Sequence, residues 1–591
     1  MLNHCAESGS FYRMTRTTAG AIALVSAMVT SLATSACTGI AGPSAGASAA
    51  GGGQAATPLP NAGSDAGPGG MPTTPTTPTT TTTTPSGDQP IARMHRLTTS
   101  QYANSLRDLL GADVPVDAVD PDFLDDGFVN VGASTVSVSP SGGGLYEAAA
   151  TAATTWLFSD PARLKAALAC VPQAATDTAC AQQALATLGR RAYRRPLTDE
   201  ETNRLVTLAT AIAGQAGSSM LIGMRHAVNM LIQSPNFLYR VELGAASPAD
   251  GGRLKYTSFE MASRLASTLW NTLPDGALLD AADTLTNADG VSAQAKRMLA
   301  DPKAHQALTA FVDDLYALHF LHGAMPDPTV YPGFTETLRQ AMQTELEMRV
   351  DDAVFGSPSD FLSLFDSKTT FVNDELAKHY GLPALGGSGF QRVTFPADSP
   401  RVGILGSGAL LTGMALPERT FPTRRGKFIR DAMLCQIVPP PPSNVMAQLP
   451  PNRNPNDTIR KILTDHRASP ACAGCHALMD PIGLGLEAFD GVGKYRTMDK
   501  GQPIDATGNL DGVPFNGLAE LGKALRNAPV AGPCLVSKLY TQALGRAPVE
   551  RDALLLDALA TRFAAGGNRF DQLLLDVVAS DGFRFVEPTA P

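Results

Sequence analysis

From residue 98 onward, apolar positions recur at helical spacing. Thr98 precedes Tyr102, Leu106, Leu109 and Leu110, and Gly111 follows as a stop, so the pattern predicts a first helix from about Thr98. Thr198 and Glu201 form a capping box ahead of Leu205, Leu208 and Ile212; Thr257 and Glu260 form another ahead of Met261, Leu265 and Leu269. The same period covers 338–354, 553–563 and 570–578, while strict apolar–polar alternation is scarce. The expected fold is a mainly α, multi-domain helical body with long ordered loops. The clearest loop is 438–451, where the prolines at 439–442 preclude a helix interior. The Met, Leu and aromatic stripes on these helices read as core.

Ahead of that body the helical pattern fails in two ways. Residues 19–36 carry no charge and follow Arg13 and Arg16, the form of a signal peptide spanning 1–36. Ser35-Ala36-Cys37 resembles a bacterial lipoprotein processing site, which would place a lipid on Cys37, with Thr34 standing where an aliphatic residue is usual. Ordinary secretory cleavage and a short Ala-rich transmembrane span are the alternatives. Met14 is a more natural start than Met1, and a start there would remove Cys5. Residues 37–90 are dominated by Gly, Ala, Ser, Thr and Pro and cannot bury a core. As a coil they would hold the body about 40 Å from an anchor.

Composition narrows the function classes. Acidic residues outnumber basic ones, 55 to 46, which argues against nucleic acid as a partner. With aromatics at 6% and only Trp156 and Trp270, a sugar platform of many indoles is excluded. No P-loop, dinucleotide fingerprint or zinc-protease helix is visible, and Gly142-Gly143-Gly144 reads as a loop. Carboxylates at Asp125-Asp126, Asp351-Asp352, Asp505 and Asp511 read as helix-surface or turn residues, the last two fixing turns at Gly508 and Gly512. Arg194, Arg195, Arg424 and Arg425 could line a substrate cleft, although arginine pairs beside prolines are usually solvated or salt-bridged.

Cys472-Ala473-Gly474-Cys475-His476 is the attachment pattern of c-type haem. Two thiols three residues apart can form thioethers to the two vinyl groups on one haem edge, and the adjacent imidazole can bind the iron. At this content of Cys and His the pattern would arise by chance in about two chains per thousand. A redox dithiol would need a βαβ context; zinc would need a fourth ligand, for which His466 is available; a static disulfide across this spacing is geometrically poor. Export agrees with haem, whose covalent attachment takes place outside the cytoplasm. Cys170 and Cys180 flank Pro172 at a spacing suited to a local disulfide worth about 2–4 kcal/mol. Cys435 and Cys534 are then left to pair with each other, or each pair persists as buried free thiols. The sixth iron position decides between electron transfer and ligand activation. Met479 lies on the His476 side of the ring and reads as packing, whereas Met498 and His466 could reach the opposite face.

These residues also carry a resemblance. His466-Arg467, Pro470-Ala471 with the motif, Asp480-Pro481-Ile482-Gly483-Leu484, Leu486-Glu487, Phe489-Asp490, Gly493 and Arg496 closely resemble the planctomycete-type cytochrome-like family, whose domains are known only as families of unknown function. Arg96-Leu97-Thr98 with 102–111 is similar to its N-terminal module, 191–197 to its second, and 234–240 with Arg264, Leu265, Leu269 and Trp270 to its third. Arg424, Gly426 and Lys427 with Cys435 lead into the haem module, and Lys538, Leu539 and 543–546 resemble the last. The expected modules are 91–160, 161–250, 251–385, 386–500 with the Pro-rich loop and haem segment, and 501–591. The resemblance implies haem c held by Cys472, Cys475 and His476, favours His466 as the distal iron ligand, and places Cys435 and Cys534 on pattern positions. It implies no established reaction and leaves open whether the protein is an enzyme. The expectation is an exported monohaem lipoprotein of the periplasm, outer membrane or cell surface, transferring electrons to or from an unidentified redox partner. The alternatives are a haem oxidoreductase acting on an extracellular substrate and a surface scaffold with a structural haem.

Overall fold

The computed structural model describes residues 93–174, 176–356, 360–387, 389–440 and 454–586. The expected signal peptide, Cys37, the tether and residues 441–453 of the Pro-rich loop lie outside them. The fold is mainly α, and its helices begin where the caps predict. Thr98 caps Thr99–Leu110, with Gln101 closing the box; Thr198 and Glu201 close it for Asp199–Ala213, and Thr257 and Glu260 for Ser258–Leu269. The patterns further along become Glu336–Asp351, Ala553–Ala565 and Phe570–Ala579. Among the described residues each sheet has only two strands, all antiparallel; the N-terminal strand Arg93–Arg96 pairs with Tyr239–Glu242, Met94 opposite Val241. None of the described helices is long and apolar enough to cross a membrane.

Buried side chains form two large cores. One gathers residues between Leu97 and Leu273, including Tyr102, Leu157, Leu188, Val228 and Phe237. The other runs from Phe128 through Trp270, Leu346, Ile429, Phe489 and Tyr540 to Phe583. A third, small cluster holds only Ile459, Leu463 and Leu484, beside the cysteine–histidine motif. Two disulfides are present among the described residues: Cys170–Cys180, and Cys435–Cys534, which ties the segment after the helix Pro422–Phe428 to the helix Ala531–Leu544 across a sequence separation of 99.

Three expectations are corrected. Gly142-Gly143-Gly144 is not a loop but the first turns of the helix Pro140–Phe158, started by Ser139 as N-cap and Pro140 at N1. Gly142 is required there because a Cβ would lie 2.2 Å from the Asp120 carboxylate, which accepts from Ser139 N at 2.7 Å. Arg194 and Arg425 are neither solvated nor at a cleft. Arg194 is buried and donates to the carbonyls of Asn236, Phe237 and Tyr239; Arg425 donates to those of Leu411, Leu486, Phe489 and Asp490. Two of the four arginines keep an expected ion pair, Arg195 with Glu201 at 2.8 Å and Arg425, from within the core, with Glu487 at 3.8 Å. Finally, the turn at Gly512 is fixed by Asn509, whose Oδ1 accepts from Gly512 N at 2.7 Å, while Asp511 pairs with Arg430 at 2.7 Å; Gly508 is no turn but lies in the strand Thr507–Leu510, and Asp505 accepts from Thr507 N at 2.9 Å at the start of that strand.

Candidate cofactor-attachment site

The motif occupies the first half of the helix Pro470–Gly483, which Pro470 starts at N1 and which follows the short helix Ile459–Arg467 after a two-residue connection. Helical spacing puts Cys472, Cys475 and His476 on one face. Both thiols are free and half-buried, whereas the other four cysteines among the described residues are paired. Gly474 faces open space: a Cβ added to it meets nothing within 4 Å.

The second half of the helix is anchored in the core. Its axis is brought against the helix Pro422–Phe428 by two glycines; a Cβ on Gly426 would sit 1.9 Å from the Met479 carbonyl, and one on Gly483 would sit 1.8 Å from that of Pro422. This backbone approach positions Thr423, whose hydroxyl donates to Asp480 Oδ1 at 2.8 Å. Asp480 is fully buried and in turn receives His476 Nδ1 at 3.0 Å. A carboxylate on Nδ1 fixes the imidazole tautomer and leaves Nε2 as the free lone pair, the arrangement expected of a metal-binding histidine. Sequence reasoning missed Asp480 and Thr423. The His–Asp spacing of four in a helix was a usable signal for the first; Thr423, 57 residues away, had none.

His466, at the end of the preceding helix, meets His476 edge to face with ring centroids 4.6 Å apart. Burial first, and then His476, hold it below its ordinary pKa. Two imidazoles bound to opposite sides of one iron would stand about 6 Å apart, centroid to centroid, given metal–nitrogen bonds of about 2 Å. His466 therefore stands beside His476 and would have to move away from it to serve as the distal ligand; residues Ala468 and Ser469 connect their two helices. Met479 is buried packing, as expected, and Met498 lies half-exposed in the strand Met498–Asp499. Among the described residues no group of three or more His, Cys, Asp or Glu is arranged to hold a metal ion, so a preformed four-ligand zinc site is not present at the motif. The donor set fits haem c in its two unpaired thiols and its free Nε2.

Downstream residues build a platform under this helix. Glu487 accepts from Thr420 at 2.9 Å and Arg496 at 2.8 Å, and burial raises its pKa against the pull of Arg425 and Arg496. Arg401 reaches the Gly493 carbonyl.

Comparison with known proteins finds five families in chain order, each described as a protein of unknown function: DUF1587 over residues 95–159, DUF1595 over 180–242, DUF1592 over 256–382, DUF1588, named PSCyt3, over 401–499, and DUF1585 over 511–583. The motif falls within the fourth. No curated protein and no solved structure matches the chain.

Proposed function

We propose that this chain of five such domains is an exported, lipid-anchored monohaem c-type cytochrome that transfers electrons at the cell envelope. One observation carries the reading: two unpaired thiols and an imidazole on one helical face, the imidazole held at Nδ1 by a buried carboxylate so that Nε2 is free. Cys472 and Cys475 would hold the porphyrin through their Sγ atoms and His476 would hold the iron through Nε2. Haem c supplies one-electron chemistry when bound. Asp480 keeps the proton on Nδ1, orients the ring and raises the basicity of Nε2. His466 is the distal ligand in this proposal, reached through the connection at Ala468-Ser469. The disulfides agree with an oxidising compartment, and lipid on Cys37 would tether the body to a membrane.

Electron transfer is preferred to a structural haem because the two large cores include none of Cys472, Cys475 or His476. The test is to produce the body from residue 91 in a host that matures c-type cytochromes and to record oxidised, reduced and carbon monoxide spectra. The expected result is a covalently bound, six-coordinate low-spin haem that excludes the gas, converted by His466→Ala to a form that binds it. Rapid carbon monoxide binding by the unaltered protein would favour an oxidoreductase instead. A peptide spanning 468–494 with no added tetrapyrrole would overturn the proposal.

A further inference from the structure

Behind the helix Pro422–Phe428, on the surface that does not meet the motif helix, lies a cavity of about 300 Å³. It is partly open to solvent and large enough for roughly ten water molecules, the lower end of the range for small-molecule sites. Its walls come from five separate parts of the chain: Phe128, Phe320, Phe428 and Met414 supply an apolar lining, and Arg424 and Lys538 line it as well.

Those two cations are unlike the other buried ones. Arg194 and Arg425 are saturated with carbonyls, and Arg264 pairs with Glu242. Arg424 makes a single hydrogen bond, to the Ala415 carbonyl at 3.3 Å, and stacks over Phe421 and Phe320. Lys538 is half-buried with no hydrogen-bond acceptor among the described residues; its Nζ lies over the Phe128 ring, 6.0 Å from the centroid. Burial pulls both below their ordinary pKa values, only partly offset for Lys538 by Asp431 and Asp126. Guanidinium and ammonium groups offer five and three donors, and leaving them unfilled in a partly desolvated site is costly.

The remaining ionisable groups do not cancel this charge. Lys427 and Asp431 are paired with each other. Asp314 accepts from Val129 N at 3.0 Å and is pushed by burial up to about 7, so it carries only part of a negative charge near neutral pH. His319 is held below its ordinary value by burial and His322, and stacks on Phe320. The field inside is positive, and the walls are aromatic and aliphatic.

We propose that this cavity binds a small organic carboxylate with an apolar body, its carboxylate taken by Arg424 and Lys538 and its body laid against Phe128, Phe320 and Phe428. The site is independent of haem. It differs from a phosphate site in its apolar walls and from a purely apolar pocket in its two unfilled cations.

Calorimetry on the mature full chain with benzoate, hexanoate, benzamide and inorganic phosphate tests it. Benzoate or hexanoate should bind one per chain, with benzamide and phosphate at least about tenfold weaker, because a charge-assisted hydrogen bond is lost or the apolar contact is missing. Arg424→Met and Lys538→Met should each weaken benzoate about tenfold or more, and Lys538→Arg should restore most of it. Should a Met variant fail to fold, acetylation of the unaltered protein by acetic anhydride, read by mass spectrometry, gives the same answer: benzoate should protect Lys538. Equal binding of benzamide and benzoate, preference for phosphate, no carboxylate binding at millimolar concentration, or undiminished labelling of Lys538 would each overturn the proposal.

Discussion

Asp480 is a fully buried carboxylate whose acceptor sites are filled by the Thr423 hydroxyl and His476 Nδ1. Replacing it by Asn preserves shape and removes the charge opposite the imidazole. Under the proposed function, a less basic Nε2 stabilises the oxidised iron less, so Asp480→Asn should raise the reduction potential by about 50 mV, close to a tenfold shift of a one-electron equilibrium. Spectroelectrochemical titration measures this, and an unchanged potential with haem attached would remove Asp480 from the role of positioning residue. Residue identity alone misleads elsewhere at this scale. Arg194 and Arg425 read as surface cations beside prolines, yet each is a donor hub for carbonyls that its neighbours cannot satisfy. Glu242 is buried among cations: although burial alone would raise it, Arg264, His95 and Arg240 hold its carboxylate well below the usual range.

Helices were the most legible elements, because period and capping chemistry act over four residues. Thr98, Thr198 and Thr257 each begin a helix where their patterns begin. The glycine triplet failed for a complementary reason: its place at a helix start depends on Asp120, some twenty residues upstream. Packing between helices also sets charges that no local pattern reveals. Asp313, on Lys303–Leu315, is pushed up to about 7 by burial and by the like charges of Glu347, on Glu336–Asp351, and Asp314, and its Oδ1 has no hydrogen-bond partner. With its folded pKa above the unfolded value near 4, the native state binds the proton that the unfolded state releases. The stability linked to this group is therefore full below about pH 4 and lost as pH rises to about 7. Asp313→Asn cannot ionise, so its stability relative to the unaltered protein should increase from pH 4 to pH 8 in urea titrations. A constant difference across that range would contradict the assignment.

Among the described residues, five sequence families share two large hydrophobic cores: the first two families and Leu273 of the third build one, and the last three, together with Phe128 and Val131 from the first, build the other. The Cys435–Cys534 disulfide closes a loop that contains the entire motif segment and fastens its entrance to a C-terminal helix. Changing both cysteines to serine should lower stability by about 2–4 kcal/mol, seen as a reduced urea midpoint, with Cys170–Cys180 still formed by mass mapping. An unaltered midpoint would show that the second core holds this segment without the cross-link.

The chain itself determined its helical class, its helix starts and the juxtaposition of Cys472, Cys475 and His476, because each depends on chemistry repeated within one or two helical turns. Tertiary structure alone decided that Thr423 closes over Asp480, that His466 stands in edge contact with His476, and that Arg424 and Lys538 line one cavity while Arg194 and Arg425 vanish into carbonyl clamps. Those outcomes depend on which distant backbones approach one another, and the two crossed glycines, Gly426 and Gly483, are where that approach is closest to the site.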